Sequence, residues 1–289
     1  MTHSFLLIGQ SNMAGRGFLK DVPPICNEHI KMLRNGRWQI MFEPINYDRP
    51  NAGIGLSASF AASWIMDHPL EDIGLIPCAD GGTSLDDWNT SGPLFANAVQ
   101  QAKLAQRESV IEGILWHQGE NDSQPGGAEN YKDKLTTIIN TLRNELTIKE
   151  VPLIVGGLGD YLPHGQLFGS HFAASVEVNQ AIRHFAEATA NCYFVTAAGL
   201  TSNPDGIHIN AKSQRLFGIR YYKAYHDKQH ILFPLQNEEA LIIQIENQPL
   251  TEIAYREMMG VQFSSGAISL EEYLAAMKSV SAQKSSSTK

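Results

Sequence analysis

Cysteine is scarce here, with only Cys26, Cys78 and Cys192 in 289 residues. The three are odd in number and widely scattered, without metal-ligand spacing. This argues against a disulfide framework or a thiolate metal centre and reads as reduced, mostly buried thiols. No segment approaches the roughly 18 uninterrupted apolar residues of a membrane-spanning helix. The N-terminus also lacks a basic start followed by a long apolar stretch and a small-residue cleavage site. A cytoplasmic location without a membrane partner is therefore expected. Positive charge is the minority, 22 Lys and Arg against 30 Asp and Glu, for a net charge of −8. With no dense basic run, a nucleic-acid partner is not expected. No internal repeat is evident. What remains is an ordinary globular composition, 43% hydrophobic and 18% charged, in a chain long for one domain but not long enough to require two.

Short apolar runs alternate with stretches of helical period. Phe5–Ile8, Ile73–Pro77, Ile111–Trp116, Pro152–Gly156 and Tyr193–Thr196 are nearly unbroken hydrophobic runs, the pattern of parallel strands covered on both faces. Between them, Asn130–Leu146 repeats Tyr131, Leu135, Ile138, Leu142 and Leu146 at intervals of three and four, placing one apolar stripe against a sheet. Leu94–Gln106, Ser175–Ala190 and Ala211–Tyr225 read similarly. The alternation predicts a three-layer α/β/α sandwich around a central parallel sheet, spanning residues 1–226. Beyond about Asp227 the pattern breaks. Ile231–Pro234 and Leu241–Ile245 read as strands of a small appendage, followed by helices over Thr251–Met259 and Ser269–Val280. The second helix opens with Ser269, Glu271 and Glu272, suited to its N-terminus. A polar tail, 285–289, ends the chain. Residues 227–289 are too few for a sizeable core of their own, so they should rest on the main domain or on another subunit, a route to a homo-oligomer.

In an open parallel sheet, ligands bind beyond the carboxyl ends of the strands. Gly9-Gln10-Ser11-Asn12-Met13 follows the first strand, Asp80-Gly81-Gly82-Thr83-Ser84 the second and His117-Gln118-Gly119-Glu120-Asn121-Asp122 the third. Asp205-Gly206-Ile207-His208 precedes the last helix of the main domain. A serine hydroxyl becomes a nucleophile when an imidazole accepts its proton and a carboxylate orients that imidazole. Asp205 and His208 can fill both roles from one tight loop around Gly206. The tetrahedral intermediate then needs hydrogen-bond donors for its oxyanion. Candidates are the backbone N–H of Ser11, a glycine at Gly81 or Gly82, and the amide of Gln118 or Asn121.

These four segments resemble the four blocks of the SGNH or GDSL hydrolase superfamily. More narrowly, Gly-Gln-Ser-Asn-Met, Gly-Gly-Thr-Ser, Trp-His-Gln-Gly-Glu and Asp-Gly-Ile-His resemble carbohydrate esterase family six, which includes acetylxylan esterases and sialate O-acetylesterase-like proteins. The resemblance covers roughly residues 4–225. It implies a flavodoxin-like fold with Ser11 as nucleophile, His208 as general base and then acid, and Asp205 as its orienting partner, with no metal and no cofactor. Gly81 matches the superfamily glycine. Asn121 fits the superfamily Gly-x-Asn-Asp block, whereas Gln118 matches the family-six glutamine. Both amides stay open, with Gln118 preferred because Gly119 lets the chain turn beside Ser11. The implied substrate is a small acetylated carbohydrate, a xylo-oligosaccharide or an acetylated sialic acid. Without an export signal, short imported oligosaccharides fit better than long insoluble xylan.

Blander readings stand beside these. Ser11 could cap a helix starting at Asn12, and Asp205-Gly206 is ordinary turn chemistry. His117 reads as a packing residue. Glu120 is either a substrate contact or, preferably, a buried carboxylate holding loops together. Trp88, following the glycine loop, is the candidate sugar-stacking aromatic. Two other function classes compete. His117, Glu120, Asp205 and His208 could hold zinc in a metal hydrolase, or the scaffold could bind sugar without catalysis. An ordinary α/β-hydrolase is disfavoured, because Ser11 lacks the Gly-x-Ser-x-Gly elbow.

Overall fold

A computed structural model describes residues 1–287 of the chain, with side chains through residue 278. The elements in chain order are β1 (Thr2–Gly9), α1 (Ser11–Ala14), β2 (Ile30–Arg34), β3 (Arg37–Ile40), α2 (Ser57–Asp67), β4 (Ile73–Pro77) and α3 (Pro93–Ala105). There follow β5 (Ser109–His117), α4 (Tyr131–Leu146), β6 (Leu153–Gly156), α5 (Ser175–Ala188), β7 (Cys192–Val195) and α6 (Ala211–Asp227). Three further helices close the chain: α7 (Glu238–Glu246), α8 (Glu252–Ser264) and α9 (Leu270–Ser287). Single 3-10 turns lie at Leu19–Asp21, Leu162–His164 and Gly169–Phe172.

The seven strands form one sheet in the order β3-β2-β4-β1-β5-β6-β7. All neighbours are parallel except β2 and β3. Strand β1 lies between β4 and β5, so Phe5 sits beside Leu75 on one side and Gly113 on the other. Its unbroken apolar run is split by the two-residue period of a strand. Phe5 and Leu7 join a core with residues of α2 and α6, while Leu6 and Ile8 join a second core with α3, α4 and α5. Both sheet faces are thus covered, and β1 and its neighbours need no polar side. The chain winds to one side of β1 through β4 and then crosses to β5, so the β1/β5 crevice is the switch point where ligands bind in such sheets.

The five predicted strands are present, but the sheet gains a hairpin that the apolar runs do not announce. Strands β2 and β3 meet at Asn35-Gly36, both at positive φ (53° and 75°), the conformation that an Asn-Gly hairpin turn requires. Helix α2 also escapes the periodicity, because it is buried on nearly every side from Ser57 to Ile65. Its serines turn inward harmlessly: Ser59 Oγ donates to Leu56 O at 3.2 Å and Ser63 Oγ to Ser59 O at 2.9 Å. After Asp227 the expected strands give way to helix. Leu241–Ile245 lies inside α7, which opens on Glu238 and Glu239 and turns Ile242 and Ile245 into the core. Of Ile231–Pro234, Ile231 makes an isolated bridge to Val195. Helix α9 runs to Ser287, and 288–289 of the expected tail lie outside the described residues.

Helix α7 is fixed to the main body by a buried ion pair. Arg220 donates to both carboxylate oxygens of Glu238 at 2.7 and 2.6 Å, and also to the carbonyls of Thr196 and Ala198 at 3.0 and 2.8 Å. Cys26, from the main body, donates its thiol to Ala254 O on α8 at 3.2 Å. Burial pushes the Cys78 and Cys192 thiols up to about 12, leaving them unreactive. Among the described residues no helix is long and apolar enough to cross a membrane.

Candidate active site

Ser11 is the first residue of α1, directly beyond β1, and only 4% exposed. Gln10 takes the cap position, without a side-chain capping bond, so Ser11 is not the cap itself. First-turn N–H groups of a helix have no intrahelical partner, and the N–H of Ser11 has none among the described residues. Ser11 lines a cavity of about 270 Å³ with His208, Gly81, Gly82, Asn121 and the 3-10 residues His171 and Phe172.

The loop before α6 carries the imidazole. Gly206 adopts a φ of 71°, open to glycine at little cost, and the turn folds Asp205 back under its own chain. Asp205 Oδ1 accepts the N–H groups of Ile207 and His208, each at 2.9 Å, while Oδ2 meets His208 Nδ1 at 2.7 Å. Burial alone would raise the Asp205 carboxyl. The His208 N–H and imidazole, with the Ile207 N–H, outweigh it and hold the group below the ordinary carboxylate range. The aspartate is therefore anionic and its charge is directed at one ring nitrogen.

Asn12 joins this loop to the serine. Its Oδ1 accepts the Ile209 N–H at 2.9 Å, and its Nδ2 donates to Glu120 Oε1 at 2.5 Å. Glu120 Oε1 also meets His117 Nε2 at 3.1 Å. Burial pushes the Glu120 carboxyl up, but the neighbouring His117 imidazole and the Asn12 amide more than offset it, leaving the group lowered. Glu120 reaches the cavity wall, and its Oε1 ties two loops together while its Oε2 has no hydrogen-bond partner among the described residues. A second clamp comes from Asn203, whose N–H donates to His208 O at 2.7 Å and whose Nδ2 donates to Arg16 O at 2.8 Å. Asn12 and Asn203 escape sequence reasoning because each acts across nearly 200 residues of chain.

Two of the oxyanion candidates have their donors engaged elsewhere. Gly81 donates its N–H to Asp48 Oδ2 at 2.8 Å, and its carbonyl accepts from Arg49. Its donor is thus occupied, whereas the adjacent Gly82 N–H has no partner among the described residues. Gln118 is fully buried and absent from the cavity wall. Its Nε2 faces Asp122 Oδ2 at 2.5 Å, Thr83 O at 3.0 Å and Gln10 Oε1 at 3.2 Å, while Oε1 accepts from Tyr131 at 3.0 Å. Every polar atom of Gln118 is thus engaged, whereas Asn121 lines the cavity and its side-chain amide has no hydrogen bond among the described residues. The preference for Gln118 drawn from Gly119 fails because the amide turns into the sheet edge, towards Thr83 and Asp122.

Trp88 is also corrected. It is 1% exposed, packs edge-on against Trp116 with centroids 5.7 Å apart, and donates Nε1 to Thr83 Oγ1 at 3.1 Å. It is a core residue and presents no face to a sugar. The zinc-ligand set divides into two bonded pairs, His117 with Glu120 and Asp205 with His208. Among the described residues no three His, Cys, Asp or Glu side chains converge as metal ligands would.

Ser11, the imidazole of His208 bonded to Asp205, and Gly82 thus meet around one cavity near the β1/β5 crevice. The sequence model of the family described as carbohydrate esterase, sialic acid-specific acetylesterase, matches residues 1–227. The chain belongs to this family. It is an esterase of the carbohydrate acetylesterase kind. A probable carbohydrate esterase of Arabidopsis thaliana is 29% identical over 245 residues, covering 76% of this chain and 89% of that protein. An X-ray structure of an Arabidopsis thaliana protein superposes with a TM-score of 0.70 at 28% identity, over 78% of this chain and 98% of that one. The crystal structure of NanS gives 0.65 at 16% identity, over 78% and 97%. A carbohydrate acetylesterase from Xanthomonas citri gives 0.57 at 18% identity, over 78% and 56%. The last two show a shared fold.

Proposed function

We propose that the protein hydrolyses O-acetyl esters of small carbohydrates through an acetyl-enzyme on Ser11, with His208 as base and acid and Asp205 as its orienting partner. The observation that carries this reading is the 2.7 Å contact between Asp205 Oδ2 and His208 Nδ1. With Asp205 anionic, this contact supports a proton on Nδ1 and leaves the other ring nitrogen to take the hydroxyl proton, and Ser11 and His208 line the same cavity. Attack by Ser11 Oγ on the acetyl carbonyl forms a tetrahedral oxyanion as the proton passes to His208. The N–H groups of Ser11 and Gly82 and the amide of Asn121 are the donors for that oxygen. Collapse breaks the carbon–oxygen bond to the sugar, whose oxygen takes the proton from His208. Water, deprotonated by the same imidazole, then releases acetate and restores Ser11.

Xylo-oligosaccharide esters and acetylated sialic acid are both candidate substrates. Acetate release from mono-acetylated xylo-oligosaccharides and from O-acetylated sialic acid, each with and without a serine-directed phosphonate and a chelator, tests the reading. Release from either sugar, stopped by the phosphonate and untouched by the chelator, is the expected result. Chelator sensitivity with phosphonate resistance would return the zinc reading, and binding without release the non-catalytic one.

A further inference from the structure

A second cavity, about 550 Å³, adjoins the first and shares Arg16, Asn51 and His208 with it. From His208 it runs between Asn203 and Asp205 on one side and Gly17–Lys20 on the other. Phe18 and Leu19 line it with 45% and 49% of their surface exposed. Isolated exposed apolar side chains are common on any protein. This pair differs in lining a cavity that also reaches Asp205 and His208. Gly17 exchanges both backbone hydrogen bonds with Ile54, at 3.0 and 2.8 Å. A Cβ on Gly17 would stand 2.5 Å from the Ala211 backbone, so the chain passes directly against the start of α6. The Asn203 amide holds the Arg16 carbonyl at 2.8 Å. Arg16 and Gly17, next to Phe18, are thereby held against the segment that carries Asp205 and His208.

The direction of the chemistry gives this cavity a use. In the acyl-transfer scheme the histidine protonates the leaving oxygen, so the sugar lies on the His208 side and the acetyl group on the Ser11 side. We infer that Phe18 and Asn51 form the leaving-sugar subsite, with the Phe18 ring stacking on a pyranose face and the Asn51 amide, where the cavities meet, bonding a ring hydroxyl. This inference rests on the acetylesterase reading above. An aromatic ring offers a flat apolar face to the C–H side of a sugar while the sugar's hydroxyls stay wet. Lys20, exposed at the rim, adds a donor.

The test compares kcat/KM on a mono-acetylated sugar with kcat/KM on ethyl acetate, for wild type, Phe18→Ala and Phe18→Trp. The Phe18→Ala loss on the sugar ester should exceed its loss on ethyl acetate by roughly 3- to 10-fold, mainly through KM. Phe18→Trp should restore most of it. Equal losses on the two esters, or none on the sugar ester, would overturn the subsite while leaving the esterase reading intact. Wild-type cleavage of ethyl acetate with no release from any acetylated sugar would overturn the carbohydrate reading, and the subsite with it.

Discussion

Asn12 and Glu120 share a buried hydrogen bond of 2.5 Å that ties the turn carrying Ser11 to the loop leaving β5. The other end of the same amide accepts the Ile209 N–H, next to His208. One side chain thus sets the spacing of three motif blocks. Asn12→Ala should lower kcat by about 10²-fold, the scale expected for a displaced reacting group. It should also cost about 1–3 kcal/mol by leaving buried polar groups unpaired. Steady-state kinetics beside denaturant melts check both; an unchanged kcat would remove Asn12 from the positioning machinery.

The two amides of the β5 loop separate cleanly. Asn121→Ala should lower kcat by roughly 10²–10³-fold with little change in stability, as for loss of an oxyanion donor. Gln118→Ala should instead lower the melting temperature, because Asp122, Thr83 and Tyr131 lose a buried partner. A large kcat loss confined to fully folded Gln118→Ala would reverse the assignment.

Trp88→Ala should destabilise by about 3–5 kcal/mol, as expected for truncating a buried aromatic. Trp88→Phe should cost less, keeping a ring against Trp116 but leaving the Thr83 hydroxyl without its donor. Sugar KM in the folded variant should not move. A raised KM with unaltered stability would restore Trp88 as a substrate contact.

Much of this architecture is legible in the chain. The runs Phe5–Ile8 and Ile73–Pro77 read as strands because a doubly covered sheet demands side chains that are apolar on both faces. The four motif blocks read as one site because parallel strands deliver their carboxyl ends to one edge. Ser11, Asp205 and His208 stand out by residue type and block order, and the fold brings Ser11 and His208 to one cavity with Asp205 bonded to the imidazole. Helix α2 is hidden because burial on all sides erases the 3.6-residue period. The Asn35-Gly36 hairpin was signalled by its dipeptide, but Ile30–Arg34 and Arg37–Ile40 interleave charge with apolar residues and do not resemble the central strands. Which amide faces the cavity depends on Thr83, Asp122 and Tyr131 closing around Gln118. Contacts so remote in sequence leave no local trace.

The buried carboxylate makes a prediction about acid. Glu120 is held below the ordinary carboxylate range in the folded state. Its stabilising contribution is therefore complete above the unfolded value of about 4.3 and is lost as pH falls through the lower folded value. The stability gap between wild type and Glu120→Gln should be widest near neutrality and shrink as pH drops below about 4. Unfolding free energies measured for both proteins across that range check it. A gap that stays constant, or widens in acid, would mean that the Glu120 carboxyl is not held ionised in the fold.

The most direct measurement is acetate release by Ser11→Ala, made on protein shown by its melting temperature and circular dichroism to be folded. Ser11 lies beside the His208 loop on one cavity and has no substitute hydroxyl on that wall. The rate should fall by at least about 10⁴-fold, leaving the residual acceleration from binding and oxyanion donors. Near-normal acetate release by the folded variant would contradict the account at its centre.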